Sequence, residues 1–178
     1  LNNLGDTYMA MGQTKRALQA YQQSINVYLG NDGTKVTEAA LDRNPYKKDI
    51  VKALVSRAVF YQRQNEAKAD TVCLKLALAD IKLADKILGK LRTQSFEATS
   101  KLYWRNEAHK VYNEGIKAAF LLSDIDSYFY FMEKNKAILL LEDLTESEAL
   151  SIGGVPDSVQ SQGLMLKALS QAGGMTSM

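Results

Sequence analysis

The 178-residue chain holds one cysteine, one histidine, one tryptophan and two prolines. A lone cysteine excludes an internal disulfide, and Cys73 with His109 cannot make up the four ligands of a structural zinc site. A reducing, cytoplasmic setting is therefore expected, with no metal and no cofactor. So few prolines leave long stretches free to be helical. Neither sign of charge dominates, because 22 basic residues face 20 acidic ones for a net charge of +2. The signs are interspersed, which reads as a solvated surface and makes no electrostatic case for nucleic acid or anionic membrane. No apolar run approaches the roughly 20 residues that span a bilayer. What is abundant is apolar residue, 46% of the chain against 24% charged, the balance of one continuous helical body rather than of disorder. The fold class expected is all-α.

Residues 1–30 carry two amphipathic patterns. Leu1, Leu4 and Tyr8 share one face of a first helix, and Ala17, Tyr21 and Ser24 share one face of a second. Gly5 and Ala17 are small where the two must approach closely. Gly12 marks the break, and Thr14 can cap the second helix with its hydroxyl. Gly30 ends the pair. Residues 31–47 have little periodicity and contain Asn44-Pro45, so they read as an insertion.

Helical periodicity returns at Lys48 with Ile50, Leu54, Ala58 and Tyr61. Asp70 is placed to cap the next helix, whose stripe is Leu74, Ala77, Leu78, Ile81, Ala84, Leu88 and Leu91. A third long helix is predicted over about 95–122, roughly 40 Å at about 1.5 Å per residue, with Trp104, Ala108, Val111, Gly115, Ala119 and Leu122 on one stripe. Asp124 or Asp126 starts the next. Its opening run, Tyr128, Phe129, Tyr130, Phe131 and Met132, has strand propensity, yet helix is favoured because no turn signal follows and no partner strand is visible. Aromatics on every side of a helix predict a segment buried on most sides. Thr145 and Glu148 form a capping-box pattern for a short separate helix. Gly153 and Gly154 close it, Pro156 opens a last helix to about Ala172, and the tail from Gly173 is expected to fray.

The spacing of Leu1, Leu4, Gly5, Tyr8, Ala17, Tyr21 and Ser24 resembles a tetratricopeptide (TPR) repeat, with Leu1 where that family usually has tryptophan. The resemblance implies antiparallel helix pairs stacked as a right-handed superhelical array. Ala58, Tyr61, Ala77, Ile81 and Ala84 echo the signature, but 19 residues separate Ala58 from Ala77 where 12 separate Gly5 from Ala17. Residues 48–143 are accordingly read as divergent, elongated pairs. A second resemblance lies in Glu133-Lys134-Asn135-Lys136-Ala137 and Gly154-Val155-Pro156-Asp157. These are similar to the exit segment of TPR proteins that carry a C-terminal, caspase-like CHAT domain. On that resemblance the chain is an excised segment, and residues 144–178 lead toward a downstream effector that holds the catalytic residues.

No catalytic set is read within the chain itself. Cys73 and His109 are both taken to lie mid-helix without a third orienting group, and Cys73 counts as a small buried residue. The residues 153–156 lack the lysine and serine of a phosphate loop, and the acidic cluster of Glu142, Asp143, Glu146 and Glu148 lacks the ligand alternation of a calcium loop. The resemblance instead implies a protein-binding groove lined by first-helix residues, here Asn2, Asp6, Met9, Val55, Val59, Gln62 and Arg63. Asp6 stands where carboxylate-gripping relatives carry a side chain that attracts the ligand, so no carboxylate clamp is expected. The function expected is a non-catalytic protein-interaction scaffold with a protein or peptide partner and exposed ends open to self-association. The alternative is a small-molecule sensor or enzyme with a pocket near Trp104, Tyr112 and Tyr128.

Overall fold

A computed structural model describes residues 1–29, 44–68, 70–94, 98–152, 162 and 165, with side chains assigned at 1–29, 44–67, 70–91, 105–140, 162 and 165. The described residues form α1 (Asn2–Ala10), α2 (Thr14–Leu29), α3 (Lys47–Lys68), α4 (Thr71–Gln94), α5 (Ala98–Leu122) and α6 (Ile125–Ile152), with no strand among them. The chain is all-α, as its periodicity predicts. It divides into two units, Leu1–Ile138 and Leu139–Met178. The second holds the last turns of α6, and Gln162 and Met165 are also helical. The rest of the insertion, the glycine pair, the Pro156 helix apart from Gln162 and Met165, and the tail lie outside the described residues.

In the first unit each helix through α5 packs on the next, and α1 also touches α3 as α3 touches α5. The first hairpin shows why. Gly12 adopts φ +69, and Gln13 N–H reaches the Tyr8 carbonyl at 2.8 Å while Gly12 N–H reaches Met9 at 3.0 Å. Those two bonds close α1 in a Schellman turn that needs a residue without Cβ strain. Gln13 rather than Thr14 provides the start of α2, its carbonyl accepting Ala17 N–H at 3.0 Å. Tyr21 then drives its ring into the notch left by Gly5, where a Cβ would lie 2.6 Å from Cδ1.

Asn44 joins the first hairpin to the second. Its amide donates to the Tyr28 carbonyl at the end of α2 (2.6 Å), while its Oδ1 accepts Tyr46 N–H at the start of α3 (2.8 Å). Both are backbone groups that a helix terminus leaves without an internal partner. Asp70 caps α4 as expected, with Val72 N–H on its Oδ1 at 2.9 Å. The α4 stripe is the centre of the core: Ala77, Leu78, Ile81, Ala84 and Leu88 cluster with Ile50, Leu54 and Ala58 of α3, and Leu74 is buried as well.

Not every charge is solvated. Asp80 and Asp85 are buried on α4, and Glu107 on α5. Arg57 crosses from α3 to bind Asp80 through two bonds of 2.8 and 2.6 Å, and also donates to Gln22 Oε1 of α2. Burial pushes the Asp80 carboxyl above its ordinary range, against the pull of the guanidinium. One arginine thus ties three helices together.

The third hairpin repeats the first in a way the sequence reading overlooked. Phe131 of α6 enters the notch of Gly115 on α5, where a Cβ would lie 2.7 Å from its ring. Sixteen residues separate glycine and ring in both hairpins, and the buried small residue 12 positions after the glycine is Ala17 in one and Ser127 in the other. The turns differ, since α5 runs two residues further past its glycine than α1 does, and Ser123 takes the left-handed position, at φ 56, one place later than Gly12. Asp124 N–H bonds Ala119 O and Ser123 N–H bonds Phe120 O, both at 3.0 Å, completing a second Schellman turn. Exposed Ser123 carries the strain that Gly12 avoids. Ser123→Gly is expected to raise the free energy of unfolding by about 1 kcal/mol, read by urea titration at unchanged slope.

Asp124, not Asp126, caps α6. It accepts Ser127 N–H at 3.1 Å and Ser127 Oγ–H at 2.6 Å, and these two bonds with nearby Lys82 hold its carboxyl below the usual range. Two expectations for α6 are corrected. The helix continues through Thr145 to Ile152, because no glycine or proline interrupts it and a capping box inside a continuous helix has no free amide to serve. The aromatic run is not buried on most sides either: Phe131 is fully buried, Tyr128 is half-buried, and Phe129, Tyr130 and Met132 are exposed. Among the described side chains of α6, those that meet the core, Ser127, Phe131 and Ile138 foremost, share one face.

Candidate functional site

A cleft of about 290 Å³ opens between α1 and α3, lined by Asp6, Met9, Val55, Val59 and Arg63 with Tyr21, Ser56 and Phe60. Five of the seven groove residues expected from sequence therefore converge. Asp6 and Met9 lie three positions apart on α1, while Val55, Val59 and Arg63 follow one another at four-residue steps on α3, which places each set on one face. Phe60 is buried beneath them, its ring meeting Tyr21 edge-on at 6.1 Å between centroids.

The other two behave differently. Gln62 is buried and turns to α5, its amide donating to the Glu114 carbonyl at 3.2 Å. Gln62 directly precedes Arg63, which turns it about 100° round the helix from that residue and toward α5. Asn2 is half-buried and donates to Ser56 Oγ at 3.0 Å, which fastens the start of α1 to α3 instead of lining the cleft. Its own Oδ1 is buried without a protein partner among the described residues.

The cleft is electrically polarised. On the α1 side Asp6 Oδ1 accepts the Tyr21 hydroxyl at 2.7 Å, which aims the carboxylate. Burial first, then that hydrogen bond and the Asp6 charge, push the Tyr21 phenol far above its usual range, with Arg63 pulling the other way. Exposed Arg63 supplies the positive charge from the α3 side. Between them lie Met9, Val55 and Val59. Such an arrangement can hold an apolar side chain while reading charge on both flanks. Tyr21, Ser56 and Phe60 were not anticipated here; the one available signal was that Phe60 adjoins Val59 and that Ser56 lies one turn before it.

Residues considered for chemistry are engaged elsewhere. Cys73 is the third residue of α4 and half-buried, not mid-helix and buried, and its thiol lies 3.5 Å from Asp70 Oδ2. His109 on α5 pairs its Nδ1 with Asn135 Oδ1 at 2.8 Å. Tyr112 is buried against Phe131 at 6.2 Å, whereas Tyr128 faces Phe120 at 6.2 Å and lines a surface cleft that does not include Tyr112. The Trp104 side chain lies outside the described residues. Lys134 contacts both Asp85 oxygens at 2.7 Å and stands 4.7 Å from the Tyr130 ring. Burial opposes its charge, but the bonds to Asp85 and Tyr130 hold the ammonium above the ordinary lysine range.

Among the described residues no three His, Cys, Asp or Glu side chains converge as metal ligands, and no helix is long and apolar enough to cross a membrane. No family model, no curated protein and no solved structure matches the chain.

Proposed function

We propose that the chain is a non-catalytic protein-interaction scaffold, a right-handed stack of TPR-like helix pairs that holds a partner's peptide in the cleft between α1 and α3. The observation that carries this reading is the ring-in-glycine contact of the first hairpin and its recurrence, at the same spacing, in the third. Recurrent pairs whose first helices touch, as α1 and α3 do, leave one long face unfilled, and repeat proteins bind along such faces. Charge on both flanks of an apolar floor supports a peptide over a hydrophobic metabolite. The further proposal that this scaffold works beside a CHAT-type effector rests on the Glu133-to-Ala137 and Gly154-to-Asp157 motifs, and a caspase-like His and Cys region in the parent reading frame is its test.

Peptides selected from a display library against the chain are expected to shift the NMR signals of Asp6, Met9, Val55, Val59 and Arg63. Val59→Glu should weaken them at least about tenfold, or 1.4 kcal/mol. Because Asp6 repels a carboxylate, amidating the peptide's C-terminus should leave affinity within about twofold. Selected peptides that leave the cleft unperturbed, or that require a free C-terminus, would contradict the reading.

A further inference from the structure

The repeat between the first and third hairpins also shows where they part. Shifting the first hairpin by 110 positions superposes Gly5 on Gly115 and Tyr21 on Phe131, and sets Ala10, Lys15 and Gln19 opposite Phe120, Ile125 and Phe129. All six are exposed, the last three by 69%, 67% and 59%. Packing of the hairpin is therefore satisfied by small and polar residues at these positions. Two phenylalanines and an isoleucine are mostly exposed here, although both phenylalanine rings meet Tyr128, and an exposed apolar patch of this kind marks an interaction surface.

The surface has a shape. Phe120, Ile125, Tyr128 and Phe129 line a cleft of about 380 Å³ at the α5–α6 turn, and Asp124 forms a wall of both this cleft and a neighbouring one of about 300 Å³. The second is floored by Leu78 and Leu122 and rimmed by Lys75 and Lys82 of α4, both exposed. Two adjoining clefts suit two anchors of one helix, since side chains three or four residues apart stand about 5–6 Å from each other. The lysines at one end select acidic residues beside the second anchor.

We propose that the tip of the third hairpin docks an amphipathic helix of a partner protein, which places two apolar anchors in the paired clefts and carboxylates against Lys75 and Lys82. Paired concave clefts favour such a helix over a lipid surface, which is flat. The site is separate from the α1–α3 cleft, so either can fail without the other.

The probe is a terminally blocked helical peptide of about 16 residues with leucines at i and i+4 and glutamates flanking the second, compared by fluorescence anisotropy with its lysine counterpart. The glutamate peptide is expected to bind at least about tenfold tighter. The variant F120A/I125K/F129Q, which installs the residues of the first hairpin, should lose that binding at least about tenfold while its thermal midpoint is kept, and K75Q/K82Q should erase the preference between peptides. Arg63→Glu should change neither. Binding that survives in F120A/I125K/F129Q, no preference for the glutamate peptide, or a patch that instead drives self-association or adsorbs anionic vesicles would each overturn the proposal.

Discussion

Gly115→Ala is expected to destabilise the first unit by about 1–3 kcal/mol although it adds a single methyl group to a helix interior. In an open helix the same change stabilises by about 0.5–1 kcal/mol, because alanine loses less backbone freedom on folding. The sign reverses here because the new Cβ would stand 2.7 Å from the Phe131 ring. That ring is fully buried and lies against Tyr112 and Tyr130, so it has no open side to move into. Shrinking the ring should relieve the conflict. G115A/F131L is expected to be less destabilised than the sum of its single changes, with a coupling of about 0.5–3 kcal/mol in a double-mutant cycle followed by denaturant titration. Strict additivity would show that ring and glycine do not define this interface. Gly5→Ala should behave alike, with the added loss of the Tyr21 bond to Asp6.

Arg57→Met should cost more, about 3–5 kcal/mol, because it strands the Asp80 carboxylate among apolar neighbours. Its methylene stem is nearly reproduced by methionine, so the loss is electrostatic and not a cavity. Asp80→Leu in the same chain should recover most of it, since replacing a buried pair by apolar groups of similar size is often neutral or better. Thermal unfolding of the two single variants and the double variant decides the matter. Equal losses in all three would place the stabilisation in packing around Gln22 and Tyr61 instead of in the ion pair.

Helix positions and the main stripes were legible in the residues because they depend on local signals. Asp70 supplies a cap, Asn44-Pro45 blocks helix before Lys47, and three- and four-residue spacing on α4 names Leu74, Ala77, Leu78, Ile81, Ala84 and Leu88 among the buried side chains there, though not Asp80, Asp85 or Ile87. Three-dimensional pairing was less legible. Arg57 and Asp80 lie 23 residues apart on facing helices, and nothing local separates them from the solvated charges around them. The third hairpin was hidden by its own composition. Phe131 sits in a run of five large residues, so its 16-residue separation from Gly115 looked like one feature of an aromatic block, and only the placement of α6 singles it out.

The groove follows the same rule. Val55, Val59 and Arg63 line one cleft because a four-residue step defines a face, while Gln62 is drawn to α5 by a bond that no local spacing announces. Tyr21 was assigned to packing alone, although its hydroxyl reaches the groove. That side chain belongs to two structures at once: its ring fills Gly5's notch, and its oxygen steadies the carboxylate that lines the cleft. The wall of the cleft and the closure of the first hairpin thus share one phenol. Tyr21→Phe separates the two roles, since it keeps the ring in its notch and releases the Asp6 carboxylate.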